Sequence, residues 1–180
     1  MRDIAVLKQG RARKSANGHG VKIEVRRAQP EDDDFIAALG SSCAATSVSD
    51  VRPVTDDVAA LSFQRLLTFC RERPRTVDLV AEYDRARAGF LILLTDIPDD
   101  VTQEEQGFVA YMAVEPALRC MGVGKALLRA ADEETRRLGL PHLSLMVTAT
   151  NVPARSFYQH EGFVEERVVM TKALGSAAAQ

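Results

Sequence analysis

The sequence predicts an α/β fold, with a mixed, mostly antiparallel central sheet that contains one parallel crossover and is flanked by helices. Three observations predict it. Residues 21–25 alternate apolar and charged side chains at the period of a half-buried strand. Residues 76–83 and 89–95 are rich in valine, leucine and isoleucine and are separated by Asp-Arg-Ala-Arg-Ala, the pattern of an antiparallel hairpin. Residues 107–114 and 142–148 are apolar runs joined by a helical segment, which makes them a parallel pair across a crossover.

Each element has a local cause. After the first strand, Pro30 sits at the first turn of a helix. Glu31, Asp32, Asp33 and Asp34 lie near its positive end, and Phe35, Ile36 and Leu39 form its apolar face. Residues 40–53 are small and polar. A second helix is expected over residues 55–70, capped by the Thr55 hydroxyl and turned inward on Val58, Leu61, Leu66 and Phe69, with Cys43 and Cys70 as small packing residues. Pro74 ends it. Residues 96–106 form an acidic loop holding Asp96, Asp99, Asp100, Glu104 and Glu105 and no basic residue, either a solvated connection or a local attractor of cations. Residues 107–114 carry almost no polar side chain, as a central strand buried on both faces would. A helix over residues 124–138 places Leu127, Ala130, Ala131, Glu134 and Leu138 on one side and ends at Gly139 and Pro141. A short helix follows Asn151 and closes at Gly162, and residues 164–172 are expected as a last strand.

Composition narrows the class. With 180 residues, 46% hydrophobic and 27% charged, the chain suits one domain with a sizeable core, expected over residues 21–172. The segment 1–20, with Arg2, Lys8, Arg11, Arg13 and Lys14, is expected to be a flexible basic leader, and 173–180 a frayed tail. The apolar runs are far too short to span a bilayer. The start Met-Arg-Asp lacks the apolar stretch of a secretory signal and the three cysteines are widely spaced, so a reducing cytoplasm is the expected setting. A net charge of -2 with a pI near 5.9 gives no overall drive toward nucleic acid.

The informative stretch is 111–128, in which a strand stops near Pro116, a loop carries Gly122 and Gly124, and a helix begins at once. Such a junction gathers unpaired amides at the positive end of the helix dipole and attracts anions such as phosphate. A Walker-type loop would need glycine and Ser/Thr where Arg119 and Ala126 stand, and a dinucleotide fingerprint would need glycine at Leu127. Neither fits.

What does fit is Ala113-Val114-Glu115-Pro116-x-x-Arg119-x-x-Gly122-x-Gly124-x-x-Leu127-Leu128, followed by Asn151-x-Pro153-Ala154-x-x-Phe157-Tyr158-x-x-x-Gly162-Phe163. These two motifs, in order and at the usual distance, resemble those of the GNAT superfamily of N-acyltransferases. The resemblance implies a sheet splayed at its central strands and a site for acetyl coenzyme A, with no metal. Met112, Ala113 and Val114 would hold the pantetheine arm through their backbone. The amides of Cys120, Met121, Gly122, Val123, Gly124 and Lys125 would bind the pyrophosphate, with positive charge added by Arg119 and Lys125. Asn151 would bond the pantetheine or cap its helix. Tyr158 would be the general acid for the leaving thiolate, which a phenol protonated at neutral pH can serve. Candidates for the general base are Glu82, Glu105 and Glu115, with His142 and His160 as further proton acceptors.

The family often has glycine where Cys120 stands and a basic residue where Met121 stands, so weaker pyrophosphate binding is expected, and the thiol is either oxidisable beside the ligand or turned away from it. The implied reaction is acetyl transfer to a primary amine by direct attack, on a small-molecule or peptide acceptor. Neither a membrane nor a nucleic acid is an expected partner, and a homodimer is open. The alternative is a non-catalytic acyl-coenzyme A sensor that regulates a partner.

Overall fold

The computed structural model describes residues 21–174. The expected leader and most of the expected tail lie outside them. A five-stranded sheet runs in chain order: β1 (Ile23–Arg27), β2 (Thr76–Tyr83), β3 (Ala86–Leu94), β4 (Gly107–Val114) and β5 (Leu143–Leu145). The first three pairings are antiparallel and β4 with β5 is parallel, so the mixed sheet expected from the sequence is present. Helices α1 (Asp33–Cys43) and α2 (Asp56–Arg71) cover one face, where Phe90, Ile92, Val80 and Ala113 meet Ile36, Leu39 and Phe63. Helix α3 (Val123–Arg137) covers the other, where Leu79, Ala81, Leu91 and Val109 meet Val123, Leu127 and Ala131. Helix α4 (Val152–His160) brings Phe157 and Tyr158 to that second cluster.

Packing corrected several local expectations. Helix α2 turns Ala59, Phe63, Leu67 and Cys70 inward and leaves Val58, Leu61 and Phe69 nearly half exposed, because two apolar stripes share its helical period and only the sheet selects between them. Thr55 occupies the N-cap without a side-chain bond. Helix α1 continues through Gly40, where a Cβ would lie 2.0 Å from the Phe63 ring; this close approach keeps the glycine inside the helix. On α3 the buried side is Val123, Leu127, Leu128, Ala131 and Thr135, with Leu138 exposed. The hairpin turn is only Asp84–Arg85, both in the left-handed region (φ 51° and 69°), so β3 starts three residues earlier than its apolar run.

Asp32 does more than favour a helix N-terminus. It is fully buried and accepts from Arg26 Nη1 (2.6 Å), Arg26 Nη2 (3.1 Å), Arg87 Nε (2.7 Å) and the Gln29 amide (2.8 Å). These bonds tie β1, β3 and the entrance of α1 together, and they hold its carboxyl far below the usual carboxylate range.

The acidic loop 96–106 is also engaged, with Asp96 paired to Arg73, Asp99 to Arg167, Glu105 to Arg75 and Glu104 to His142. Most of its charge is answered locally, which favours the structural reading over a cation trap. The expected strand at 164–172 is absent: the segment carries no regular structure and no backbone pairing among the described residues. No helix among the described residues is long and apolar enough to cross a membrane.

Candidate active site

The site lies where β4 parts from β5. The two strands pair only over Gly107–Val109 and Leu143–Leu145, so the backbone of residues 110–114 has β3 on one side and no strand on the other. This is the splay the resemblance implied. An extended ligand arm can bond those free groups as an added strand does. Ala113 packs toward α1 and α2, Met112 and Val114 toward α3, so the face of each side chain is fixed by packing and the backbone edge between them is what remains.

The C-terminal end of β4 leads through residues 115–122 into α3. The first intrahelical bond of α3 runs from the Ala126 amide to the Gly122 carbonyl (3.0 Å), so the amides of Val123, Gly124 and Lys125 have no intrahelical partner and face outward at the helix N-terminus. Gly122, the N-cap, has φ 91°, a conformation open to glycine at no steric cost. A Cβ on Gly124 would touch Phe157 at 3.4 Å and Val114 at 3.8 Å, so this glycine sits in the angle between α3, α4 and β4. The Met121 amide is already bonded to the Leu118 carbonyl (3.3 Å), so it is not among the amides open to an anion.

Cys120 is exposed and adopts φ 61°. That explains in physical terms why glycine suits this position, since a Cβ in the left-handed region costs about 1 kcal/mol or more. Cys120→Gly is therefore expected to raise the midpoint of urea unfolding at unchanged slope, by a stability of about 1 kcal/mol less the greater chain entropy of glycine. A lower midpoint would refute the strain.

The basic side chains around the loop are not free. Arg119 reaches the Cys43 sulfur with Nη2 (3.6 Å) and the Val114 carbonyl with Nε (3.5 Å), while Lys125 bonds Glu161 at the end of α4 (2.7 Å). An anion at α3 must compete with these partners. Sequence reasoning missed Arg129, which stands one turn beyond Lys125 on α3. Both line a cavity of about 370 Å³ with Ile23, Val25, Gly122 and Glu133. The i, i+4 spacing of Lys125 and Arg129 was the signal that could have revealed it.

Tyr158 is half-buried between Phe157 (ring centroids 5.4 Å) and Phe163 (5.8 Å), and burial pushes its phenol up from the ordinary tyrosine value. Its hydroxyl has no hydrogen-bond partner among the described residues. Nearby Tyr111 donates to the Gly40 carbonyl (3.2 Å), and burial, with lesser effects from Cys43 and Tyr158, raises its pKa to about 12. Asn151 caps α4 by accepting from the Ala154 amide (3.2 Å) and donates to the Thr46 carbonyl (3.3 Å). Thr148 donates to the Ser47 carbonyl (2.7 Å), so the segment that leads into α4 is tied to the turn that follows α1.

The candidate bases are scattered. Glu82 is held by Arg26 (2.8 Å) on the β1–β2 side, Glu105 is paired with Arg75 and His142 contacts Glu104 (3.0 Å), both at the 96–106 loop. His160 bonds the Ser156 carbonyl through Nδ1 (2.7 Å). Glu115 follows β4, with its amide bonded to the Ala88 carbonyl (2.9 Å). Among the described residues no three His, Cys, Asp or Glu side chains cluster as metal ligands would.

Comparison with known proteins matches this geometry. The model of the acetyltransferase (GNAT) family matches residues 48–163. Streptothricin acetyltransferase of Streptomyces lavendulae is 30% identical over 167 residues, covering 81% of this chain and 83% of that protein. The uncharacterised N-acetyltransferase YycN of Bacillus subtilis is 37% identical over 71 residues, which cover 39% of this chain and 46% of YycN, less than two thirds of its length. Among solved structures, a putative acetyl transferase from Pyrococcus furiosus superposes with a TM-score of 0.72 at 21% identity, covering 85% of this chain and all of that one. The aminoglycoside N-acetyltransferase AAC(6')-Iy, in complex with CoA, does so with 0.64 at 18% identity, over 87% of this chain and 98% of that one. With the family's two motifs placed on the open edge of β4, the N-terminus of α3 and the inner face of α4, the chain belongs to the acetyltransferase (GNAT) family.

Proposed function

We propose that this protein transfers an acetyl group from acetyl coenzyme A to a primary amine by direct attack. The observation that carries it is the convergence, around one notch, of an unpaired strand edge, three free helix amides and an unpartnered phenol. These features fit acetyl coenzyme A, whose thioester would supply the activated acetyl group: the β4 edge suits the amide-rich arm and the amides of Val123, Gly124 and Lys125 suit the pyrophosphate. The CoA held by AAC(6')-Iy on the same fold supports this assignment.

The residues of the chain divide the work. A backbone amide near Ala113 or Val114 polarises the carbonyl under attack, where negative charge develops. Tyr158 gives its proton to the departing sulfur. A phenol raised by burial stays protonated throughout the neutral range, so it is always loaded for that role. The acceptor amine must lose a proton, and with Glu82 and Glu105 held in ion pairs and His142 beside Glu104 away from this notch, that proton passes to solvent or to Glu115, the candidate that directly follows β4.

The test is incubation with acetyl coenzyme A and a panel of amines, following the free thiol released. The panel begins with streptothricin and an aminoglycoside, on which the relatives' names say they act, and adds peptide N-termini. Thiol release that depends on an amine supports transfer. Calorimetric binding without turnover across the panel would instead make the protein an acyl-coenzyme A sensor. In parallel, Gly124→Glu is expected to abolish coenzyme A binding, because a carboxylate would fill the angle beside Phe157 and repel the pyrophosphate at the helix N-terminus. Retained binding would place the cofactor elsewhere.

A further inference from the structure

One carboxylate on β2 has no hydrogen bond from the chain. Val77 and Leu79 turn toward α3, so Asp78 between them turns toward α1 and α2. Its Oδ1 is the one buried side-chain oxygen or nitrogen among the described residues that lacks a hydrogen-bond partner. Arg71 Nε stands 3.9 Å from Oδ2, beyond hydrogen-bond reach, and Arg71 directs its Nη2 to Asp33 instead (2.6 Å). Burial pushes the Asp78 carboxyl up from its ordinary value; Arg71 opposes that rise and Asp33 adds to it. Such a group costs stability for as long as it stays unpartnered.

Asp78 also lines a cavity of about 400 Å³, within the range of small-molecule sites. Its walls are the turn from β1 into α1, the end of α2 and the start of β2, and the Ala28 amide ties the first to the last by bonding the Asp78 carbonyl (2.8 Å). None of the residues placed at the notch lines it. The guanidiniums of Arg27, Arg71 and Arg73 share its lining with the carboxylates of Asp33 and Asp78. Arg27 pairs with Glu134 through Nη2, and Arg73 holds Asp96 with Nε and Nη2, so each keeps N–H groups without a partner among the described residues. A simple anion entering here meets two carboxylates, and a simple cation meets three guanidiniums. A molecule that carries both signs is opposed by neither set.

We infer that this cavity binds a small amino acid, its ammonium on Asp78 and its carboxylate on Arg27 and Arg73, at a site separate from that of the acyl donor. The ammonium supplies the donors that Asp78 lacks, and the carboxylate accepts the spare N–H groups in charge-assisted bonds. The bound molecule bridges β1, the end of α2 and β2.

The test is thermal unfolding of the whole protein at constant ionic strength with glycine, β-alanine, 4-aminobutyrate or 6-aminohexanoate, a series that varies the separation of the two charges. At about 10 mM, at least one of them is expected to raise Tm by about 3 °C or more, the shift that a Kd near 1 mM gives. Acetate and methylamine, each with one of the two charges, are expected to give none. Without amino acid, Asp78→Asn is expected to unfold at no lower temperature than the unsubstituted protein, since the carboxylate it replaces makes no hydrogen bond; with amino acid, it is expected to lose the shift. Arg27→Gln, at an exposed position, is expected to weaken binding by about tenfold. Gly124→Glu is expected to keep the shift, so loss of coenzyme A binding and loss of this site are read separately. No shift with any of the four amino acids, an equal shift with acetate or methylamine, or a shift that survives Asp78→Asn or Arg27→Gln unchanged would overturn the site. A markedly lower Tm of Asp78→Asn would make the carboxylate a structural partner of Arg71 and overturn its role toward the ammonium.

Discussion

Tyr158→Phe is expected to lower kcat for acetyl transfer by about 10²-fold or more while leaving the affinity for acetyl coenzyme A nearly unchanged, the range observed when a positioned proton donor is removed. The substitution deletes one oxygen and keeps the ring that packs between Phe157 and Phe163, so the fold and the loop before α3 are undisturbed. Because the hydroxyl has no partner among the described residues, no hydrogen bond is lost in the resting protein. The loss therefore appears in the transition state alone, where the sulfur leaves. The pH profile gives a second check: burial raises the phenol's pKa, so turnover limited by the acid form should persist through neutral pH and decline only above the ordinary tyrosine value near 10. Unchanged kcat in the phenylalanine variant would remove the general-acid assignment and leave Tyr158 as a core aromatic.

Asp32→Ala is expected to cost about 3 kcal/mol of stability, and to lower Tm by roughly 6 to 12 °C for a chain of this length. The carboxylate is the shared acceptor of Arg26, Arg87 and the Gln29 amide, and its removal leaves two guanidiniums without their central partner where β1, β3 and α1 meet. Both arginines are partly exposed, which keeps the cost at the lower end of that for breaking a buried pair. The sign of the pH dependence follows from the depressed carboxyl. Its contribution is fully present above the unfolded-state value near 4 and is lost as pH falls below it toward the folded-state value. The stability difference between the wild type and Asp32→Ala should thus narrow below about pH 4. A difference that stays constant down to pH 2.5 would show that Asp32 acts through packing rather than charge.

Both predictions concern residues that the sequence ranked unequally. Tyr158 was legible because it stands in a motif at fixed spacing from Asn151 and Gly162, and spacing within one helix survives folding unchanged. Asp32 was one of four consecutive acidic positions, and nothing in the sequence says which of them faces Arg26 and Arg87, one six residues before it and the other 55 after. The same distinction holds within the loop that opens α3. Gly122 and Gly124 declare the helix N-terminus locally, whereas Lys125 meeting Glu161 and Arg119 meeting Cys43 depend on contacts 36 and 76 residues apart.

The sequence by itself determined the order and type of nearly all the elements, the antiparallel hairpin, the parallel crossover and the glycine turn that opens α3, because each is written in residue periodicity, glycine placement or short-range motif. It also suggested a strand at residues 164–172, whose propensity is real but whose partner no local pattern can supply. Tertiary structure alone decided which stripe of α2 is buried, which acidic residue is locked in the interior, and that Glu82 and Glu105 lie in ion pairs away from the notch. Those outcomes follow from which surfaces the sheet brings within a few ångströms of one another, and a side chain's burial and charge partners are properties of that meeting rather than of its neighbours in the chain.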